Sequence, residues 1–152
     1  MNILMVCLGN ICRSPLAEEI LKSKLPEGYF VDSAGTISLH EGKKPDHRSI
    51  AVAKQHGIDI SAQRSRPITK QDFEKFDKIY CMDLSVYQDV ISMAKDEEQR
   101  QKTALFLTEA GYPDGNNEVP DPYWSEMDGF EKVYQLIDDA SERIAAKLIQ
   151  NS

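Results

Sequence analysis

Cys7 and Arg13, near the start of the chain, have the side-chain types and the spacing for nucleophilic chemistry on an anion. A cysteine thiolate is a strong nucleophile. The guanidinium of Arg13 is a planar fork that can bind two oxygens of a phosphoryl group at once. Ser14-Pro15 follows and is typical of a helix start, with Ser as N-cap and Pro at the first helical position. The helix N-terminus and Arg13 would together favour the thiolate form of Cys7 at neutral pH.

The segment between Cys7 and Arg13 also has the context of an anion-binding loop. The apolar run Ile3-Leu4-Met5-Val6 before it predicts a buried strand. A short loop between a strand and a helix turns successive backbone N–H groups inward. Gly9 suits a position with positive φ or a close backbone approach, and Asn10 is favoured in turns. The alternative is a buried, inert cysteine and a surface arginine, but the flanking strand and helix favour the anion site.

Strands and helices alternate along the rest of the chain. The predicted strands are 3–6, 29–31, 78–82 and 104–107. The predicted helices are 14–25, 46–56, 69–76, 86–95 and 129–150, and the N-caps of the second to fourth are Asp46, Thr69 and Ser85. Segments 33–45, 58–67 and 109–126 are predicted loops, and the charged run 95–102 is predicted as a solvated helix end or turn. This alternation predicts an α/β fold, a single domain over 1–152 with a four-stranded parallel sheet covered by helices on both faces.

The topology of such a sheet predicts where the chemistry would lie. Ligands of open parallel sheets bind at the carboxyl ends of the strands, near the point where the strand order reverses. The first strand ends at Cys7, and the segments that leave the same edge include 33–45, the Met82-Asp83 corner and 109–126. We therefore expect Cys7 and Asp121 to lie on the same rim.

Composition narrows the class of protein. The chain has 152 residues, of which 41% are hydrophobic and 28% charged, as in an ordinary soluble domain. The net charge of −7 argues against a general nucleic-acid binder. Three cysteines without zinc-type spacing argue against a disulfide framework, and the three histidines show no metal-site spacing. Without a signal peptide or an apolar run long enough to span a bilayer, the sequence predicts a cytoplasmic protein with no membrane partner.

The stretch Cys7-Leu8-Gly9-Asn10-Ile11-Cys12-Arg13-Ser14-Pro15 resembles the signature loop of the low-molecular-weight protein tyrosine phosphatases. Asp121-Pro122-Tyr123 resembles the general-acid motif of that family. Four further segments resemble it in the same order: Ser33-Ala34-Gly35-Thr36, His56-Gly57-Ile58, Ile68-Thr69 and Met82-Asp83. The resemblance covers nearly the whole chain. It implies a flavodoxin-like fold of the phosphotyrosine phosphatase I type, acting on phosphotyrosine in proteins or on small aryl phosphates, with inorganic phosphate as product and no metal or cofactor.

The resemblance also assigns catalytic roles. Cys7 would form a phosphocysteine, Arg13 would bind the phosphoryl oxygens, and Asp121 would protonate the leaving oxygen and then activate water. Ser14 would bond the cysteine sulfur, and Asn10 would hold the loop in shape. The phosphate-binding loop is then Leu8, Gly9, Asn10, Ile11, Cys12 and Ser14. Without Cys7 in view, Asp121-Pro122 alone is most often a turn.

Residues of the substrate pocket follow from the same resemblance. Tyr123 and Trp124 could line one side of a slot for an aromatic ring, and Leu39 matches a bulky residue of the other wall. Trp124 could instead be an exposed loop residue packed on its own chain. Ile11 stands where relatives that act on phosphoarginine tend to carry threonine, which favours phosphotyrosine.

Two other positions affect the loop, and one of them has two possible roles. Cys12 resembles a second loop cysteine that can form a reversible disulfide with the nucleophile, or it is a small apolar filler beneath the loop. Gln63 occupies the place of a family histidine that bonds the loop serine and asparagine, and its amide has no proton that titrates near neutral pH.

Three competing functions share parts of this pattern. Arsenate reduction would need a further pair of cysteines to pass a disulfide outward, whereas only Cys81 lies beyond the loop. A phosphocysteine carrier of a sugar-transport relay has no need of Asp121. A catalytically dead phosphoprotein-binding module would not need Cys7, Arg13 and Asp121 intact.

Overall fold

Four short strands form one sheet in which every neighbouring pair runs parallel. In this computed structural model, which describes residues 1–151, the strands are β1 (Asn2–Cys7), β2 (Phe30–Gly35), β3 (Lys78–Cys81) and β4 (Thr103–Leu105). Their order in the sheet is β2-β1-β3-β4. The predicted four-stranded parallel sheet is confirmed. Ser152, the last residue of the predicted domain, lies outside the described residues.

Seven helices connect and follow these strands within the described part of the chain. They are α1 (Arg13–Lys24), α2 (His47–Gln55), α3 (Asp72–Lys75), α4 (Leu84–Met93), α5 (Glu97–Gln101), α6 (Phe106–Glu109) and α7 (Met127–Gln150). The five predicted helices are all present, although α7 begins two residues earlier than predicted. The charged run 95–102 contains a separate short helix, α5, capped by the Asp96 carboxylate, which accepts the Gln99 N–H.

The core lies on both faces of the central strand β1. Successive side chains of a strand point to opposite faces. Ile3 and Met5 therefore pack into one apolar cluster with α1, α2 and α7. Leu4 and Val6 pack into a second cluster with α3 and α4. The prediction of helices on both faces is confirmed.

The predicted cap of the first helix is wrong. The helix α1 begins at Arg13 with Cys12 at the cap position, and no side chain caps it. Ser14 lies inside the first turn and is fully buried. Its hydroxyl is used elsewhere, by Cys7 and Asn10. Pro15 stands at the third helical position, where a missing N–H still costs no intrahelical bond.

The caps of two later helices also differ from the prediction. Thr69 does not cap α3, which begins only at Asp72. Ser85 does not cap α4, because the Asp83 carboxylate accepts the Val86 N–H at 2.9 Å. The predicted cap of α2 is confirmed, since the Asp46 carboxylate accepts the Arg48 N–H at 2.9 Å.

Two strands end at different places than their apolar runs indicate. Strand β4 stops at Leu105, and Phe106-Leu107 begin the buried helix α6. A short apolar run does not by itself distinguish a strand from a buried helical turn. Strand β2 continues through Gly35, which pairs with Cys7, so the first part of the predicted 33–45 loop is strand.

The sheet order places the end of β1 at a crevice. The chain leaves β1 for β2 on one side and later returns to β3 on the other side. Connections on the two sides of such a reversal diverge, which opens a crevice at the carboxyl ends of the strands. Cys7, the last residue of β1, stands at that crevice.

Candidate active site

The Cys7 loop (residues 7–13) turns its carbonyl groups outward. Five of its carbonyl oxygens accept hydrogen bonds from donors that surround the loop. Cys7 O accepts from Thr36 N at 3.0 Å, Leu8 O from Ile37 N at 3.1 Å, Gly9 O from Ser65 Oγ at 2.9 Å, Ile11 O from Asp46 N at 2.8 Å and Cys12 O from Ser49 Oγ at 3.4 Å. A trans peptide points its C=O and the following N–H in opposite directions. The amides that these carbonyls direct inward are those of Leu8, Gly9, Asn10, Cys12 and Arg13.

The tight curvature of the loop depends on Asn10 and Gly35. Asn10 adopts a positive φ of 57°, a left-handed conformation that Asn tolerates better than most residues. Its side-chain Oδ1 accepts the Arg66 N–H at 3.0 Å, which holds the turn. A Cβ at Gly35 would lie 2.8 Å from Leu8 O, so only glycine lets β2 approach the loop this closely. Gly9 does not have the positive φ considered above, but a Cβ there would lie 3.0 Å from His40 Cδ2.

A line of buried hydrogen bonds runs from the Cys7 sulfur into the protein. Ser14 Oγ lies 3.0 Å from Cys7 Sγ and accepts from Asn10 Nδ2 at 2.8 Å. Asn10 Nδ2 also donates to Ser33 Oγ at 3.0 Å, and Ser33 Oγ donates to Glu18 Oε1 at 2.7 Å. Because Ser14 accepts from Asn10, its own hydroxyl hydrogen is available to the sulfur. Such a donor stabilises a thiolate.

Arg13 is held in place by acceptors on both sides. Its Nη1 donates to Asp83 Oδ2 at 2.6 Å and to Val119 O at 2.9 Å, and its Nη2 lies 3.9 Å from Asp121 Oδ2. Only 3% of the Arg13 side chain is exposed. Burial disfavours the cation, but the negative charges of Cys7, Asp83 and Asp121 outweigh burial and raise the pKa of Arg13. The guanidinium is therefore a fixed positive charge at the crevice.

Asp121 lies on the segment before α7, which we call the Asp121 loop (residues 119–126). Val119 N–H donates to Met82 O at 2.8 Å and fixes the start of this loop against the end of β3. The Asp121 Oδ1 accepts the Tyr123 N–H at 3.0 Å. Its side chain is 45% exposed, so the carboxylate can meet both a ligand and water. The expectation that Cys7 and Asp121 share one rim agrees with this geometry.

A cleft of about 370 Å³ opens above the Cys7 loop. It contains the three predicted catalytic residues and all three predicted pocket residues. Its lining is Cys7, Leu8, Gly9, Ile11, Cys12, Arg13, Ile37, Leu39, His40, Asp121, Tyr123 and Trp124. The rings of Tyr123 and Trp124 meet edge to face at 5.0 Å, and Trp124 is 92% exposed. A floor of amides with a guanidinium, below apolar walls, fits an anion attached to a flat ring.

The other two cysteines differ from Cys7 in their surroundings. Burial, followed by the charge of Asp46, raises the pKa of the Cys12 thiol. Burial also raises the pKa of Cys81, in β3. Both are therefore neutral thiols at neutral pH, and both are free, as is Cys7. The regulatory disulfide between Cys7 and Cys12 stays a prediction.

Gln63 contacts Ser33, whereas the family histidine that it replaces would bond the loop serine and asparagine. Its Nε2 donates to Pro15 O at 3.0 Å, and its Oε1 lies 3.5 Å from Ser33 Oγ. It thus contacts the buried line at Ser33, one step behind Asn10 and Ser14. The group that ends this line is the carboxyl of Glu18.

Sequence reasoning missed four residues of the site. Asp83 contacts Arg13, Ser33 contacts Asn10, and Glu18 contacts Ser33. His40, for which the sequence predicted no role in the site, lines the cleft. Asp83 belongs to the Met82-Asp83 segment that resembles the family, but the sequence indicated no catalytic or binding role for it. An acidic residue at the carboxyl end of a strand beside β1 was the available signal for a partner of Arg13.

The buried Glu18 carboxyl should make the stability of the folded protein depend on pH. It is 9% exposed, and burial raises its pKa from 4.5 to about 7, with Asp32 and Glu19 adding to the shift and Ser33 and Lys22 opposing it. The folded protein therefore binds this proton more tightly than the unfolded chain. The protonated Glu18 therefore adds to the free energy of unfolding. This contribution is fully present below about pH 4.5 and is lost as the pH rises through about 7.

Glu18→Gln should remove this pH dependence, because glutamine keeps the volume and never ionises. Relative to the wild type, the variant should gain on the order of 3 kcal/mol in free energy of unfolding between pH 5 and pH 8. Urea unfolding at the two pH values measures the change, with Glu27→Gln on the exposed turn after α1 as control. Parallel pH profiles of wild type and Glu18→Gln would show that Glu18 is not the titrating group.

Two features are not found in the described part of the chain. No helix among residues 1–151 is long and apolar enough to cross a membrane. Within the same residues, no group of three or more His, Cys, Asp or Glu side chains is placed to hold a metal ion.

Comparison with known proteins gives the family of this chain. A family model described as low molecular weight phosphotyrosine protein phosphatase matches residues 2–152. The human low molecular weight phosphotyrosine protein phosphatase is 38% identical over 139 residues, which cover 88% of this chain and 87% of the human protein.

Solved structures give the same result. A protein tyrosine phosphatase from Entamoeba histolytica superimposes with a TM-score of 0.92 at 38% identity, covering 99% of this chain and 98% of that one. An arginine phosphatase from Drosophila superimposes with a TM-score of 0.90 at 34% identity, covering 97% and 98%. The family match over nearly every residue and the shared fold agree with the resemblance of the loop motifs. The chain therefore belongs to the low molecular weight phosphotyrosine protein phosphatase family and is a protein-tyrosine phosphatase, a hydrolase.

Proposed function

We propose that residues 1–152 act as one phosphatase domain that hydrolyses phosphotyrosine in proteins, and small aryl phosphates, through a phosphocysteine on Cys7. One observation carries the proposal. The Cys7 sulfur, the Arg13 guanidinium and the Asp121 carboxylate line the same cleft, above a loop whose carbonyls are bound outward.

In the first step the Cys7 thiolate attacks phosphorus, a P–S bond forms and the P–O bond to the phenol breaks. Arg13 and the loop amides bind the other phosphoryl oxygens and follow the charge as it moves in the transition state. Asp121, protonated at the start of this step, donates its proton to the leaving phenolic oxygen.

In the second step water attacks the phosphocysteine. Asp121, now a carboxylate, accepts a proton from the water, a P–O bond forms and the P–S bond breaks. Inorganic phosphate leaves, and the thiolate returns to its hydrogen bond with Ser14, whose Oγ lies 3.0 Å from the sulfur. That bond stabilises the leaving thiolate in this step, as it stabilises the nucleophile in the first.

The walls of the cleft support an aromatic substrate. Ile11, Ile37 and Leu39 are apolar, and Tyr123 and Trp124 are aromatic. A flat ring can pack between such walls while its phosphoryl group reaches the floor.

Phosphoarginine is the second candidate substrate, because a solved structure at 34% identity is an arginine phosphatase. A guanidinium would gain less from apolar walls than a phenyl ring does, since its desolvation is costly. Ile11, one of the apolar residues that line the cleft, fits the phosphotyrosine alternative.

The test is to assay the wild-type protein, with a chelator present, on matched peptides that carry phosphotyrosine or phosphoarginine. We expect kcat/KM to favour the phosphotyrosine peptide by about tenfold or more, the range that pocket shape alone can supply. A preference for the phosphoarginine peptide would reverse the assignment of substrate and leave the thiolate chemistry in place. Failure to hydrolyse either peptide or p-nitrophenyl phosphate would contradict the proposed function itself.

A further inference from the structure

Arg48, in the first turn of α2, connects two parts of the site without lining the cleft. Its side chain forms a bidentate ion pair with Asp46, in which Nε donates to Oδ1 at 3.0 Å and Nη2 donates to Oδ2 at 2.9 Å. The Asp46 backbone N–H donates to Ile11 O in the Cys7 loop at 2.8 Å. The guanidinium is therefore anchored to the loop that would hold the phosphoryl group.

The other side of the same guanidinium holds the Asp121 loop. Arg48 Nη1 donates to Ser125 O at 2.9 Å. Its Cζ lies 5.6 Å from the centre of the Tyr123 ring and 4.5 Å from the centre of the Phe130 ring, on α7. A guanidinium packed on aromatic faces is held by both charge and planarity.

Asp121 is connected to these contacts by a single hydrogen bond, from Tyr123. The Tyr123 N–H donates to Asp121 Oδ1 at 3.0 Å, so the position of Tyr123 helps to set the direction of the carboxylate. Asp46 is nearly buried, with 9% of its side chain exposed, while Asp121 is 45% exposed. The fixed end of the connection is thus at the Cys7 loop, and the end that needs support is at Asp121.

We propose that Arg48 is a positioning residue for Asp121, and that it sets the distance between the general acid and the phosphoryl group by tying the Asp121 loop to the Cys7 loop. This inference rests on the proposed function, because it assumes that Asp121 protonates the leaving group. A carboxyl can do so only within hydrogen-bond reach of the leaving oxygen. A displacement of about 1 Å at such a site can cost about a hundredfold in rate.

The test uses two small esters that differ in how much they need the acid. Phenolate is a poor leaving group, so its oxygen must be protonated as it leaves. Nitrophenolate is a better leaving group and needs little protonation. In Arg48→Met, kcat/KM should fall about tenfold to a hundredfold on phenyl phosphate and less than about threefold on p-nitrophenyl phosphate. Because kcat/KM reports only steps up to formation of the phosphocysteine, the role of Asp121 in the second step does not enter.

Two further variants separate positioning from general damage. Arg48→Lys keeps a cation near the rings but loses the fork, so its loss on phenyl phosphate should be intermediate. In an Asp121→Asn background, Arg48→Met should add almost no further loss on phenyl phosphate, because its effect passes through Asp121. Arg143→Met, which removes a similar stacking contact with Tyr112 and an ion pair with Asp139, is the matched control and should leave both esters unchanged.

Equal losses on the two esters, or full additivity with Asp121→Asn, would overturn the positioning role. Should Arg48→Met fail to fold, Arg48→Lys gives the same comparison: a larger loss on phenyl phosphate supports the proposal, and equal losses overturn it. If Asp121→Asn itself shows no dependence on the leaving group, the proposed function fails rather than the role of Arg48. If Asp121→Asn shows it and the Arg48 variants do not, only the role of Arg48 fails.

Discussion

Replacing Cys7 with serine should abolish turnover, with a loss of roughly 10⁴-fold or more on p-nitrophenyl phosphate and on phosphotyrosine peptide. A serine hydroxyl stays protonated at neutral pH and is a weak nucleophile. In the structure the Ser14 Oγ lies 3.0 Å from the Cys7 sulfur, and Arg13 lines the same cleft. Assays with a chelator present measure the loss.

Cys81→Ala is the control for this substitution, because Cys81 is a buried free thiol in β3, the strand beside β1. It should lower stability but keep kcat/KM of the folded protein. Inorganic phosphate should still bind Cys7→Ser in calorimetry, since Arg13 and the loop amides are unchanged. Activity that survives in Cys7→Ser would exclude the thiolate mechanism.

Replacing Asp121 with asparagine should produce a loss that depends on the leaving group. We expect kcat/KM on phenyl phosphate to fall by about 10²–10⁴, the usual cost of a lost general acid. The loss on p-nitrophenyl phosphate should be much smaller. Asparagine keeps the size of the side chain and the oxygen that accepts the Tyr123 N–H, so the loop conformation should persist.

Asp114→Asn, at an exposed position in the same long connection before α7, is the matched control and should behave as wild type. An equal loss on both esters would assign Asp121 to binding or folding instead of proton transfer.

The local part of the site could be predicted from sequence because it is contiguous. Cys7, Arg13 and the loop between them lie within one strand–loop–helix unit. The order of residue types along this unit is enough to predict an anion-binding loop. Asp121 is distant in sequence, but the rule that parallel strands bind ligands at their carboxyl ends placed it on the same rim. Its distance of 3.9 Å from Arg13 agrees with that rule.

The contacts that support these residues could not be predicted in the same way. Asp83 pairs with Arg13 across 70 positions of sequence, and Glu18 reaches the loop only through Ser33. Gly35 is required by a backbone approach that exists only once β2 is in place. Such contacts are set by tertiary packing, and residue type alone does not specify them.

The wrong cap predicted for α1 has the same origin. Ser14 has the right type for an N-cap, but the buried Cys7 sulfur and the Asn10 amide both need its hydroxyl. An unpaired polar group costs more when it is buried than at an exposed helix end. The site thus overrides the local preference at the residue where the chemistry would take place.

The most direct measurement is to trap the intermediate. Asp121→Asn should slow hydrolysis of the phosphocysteine, because the water loses its base, while p-nitrophenyl phosphate still phosphorylates the enzyme. A brief reaction quenched with an alkaline denaturant, followed by peptide mapping with mass spectrometry at alkaline pH, should find one phosphoryl group on Cys7. The same treatment of Cys7→Ser should give none. A phosphoryl group on any other residue, or none on Cys7 during turnover, would contradict covalent catalysis by Cys7.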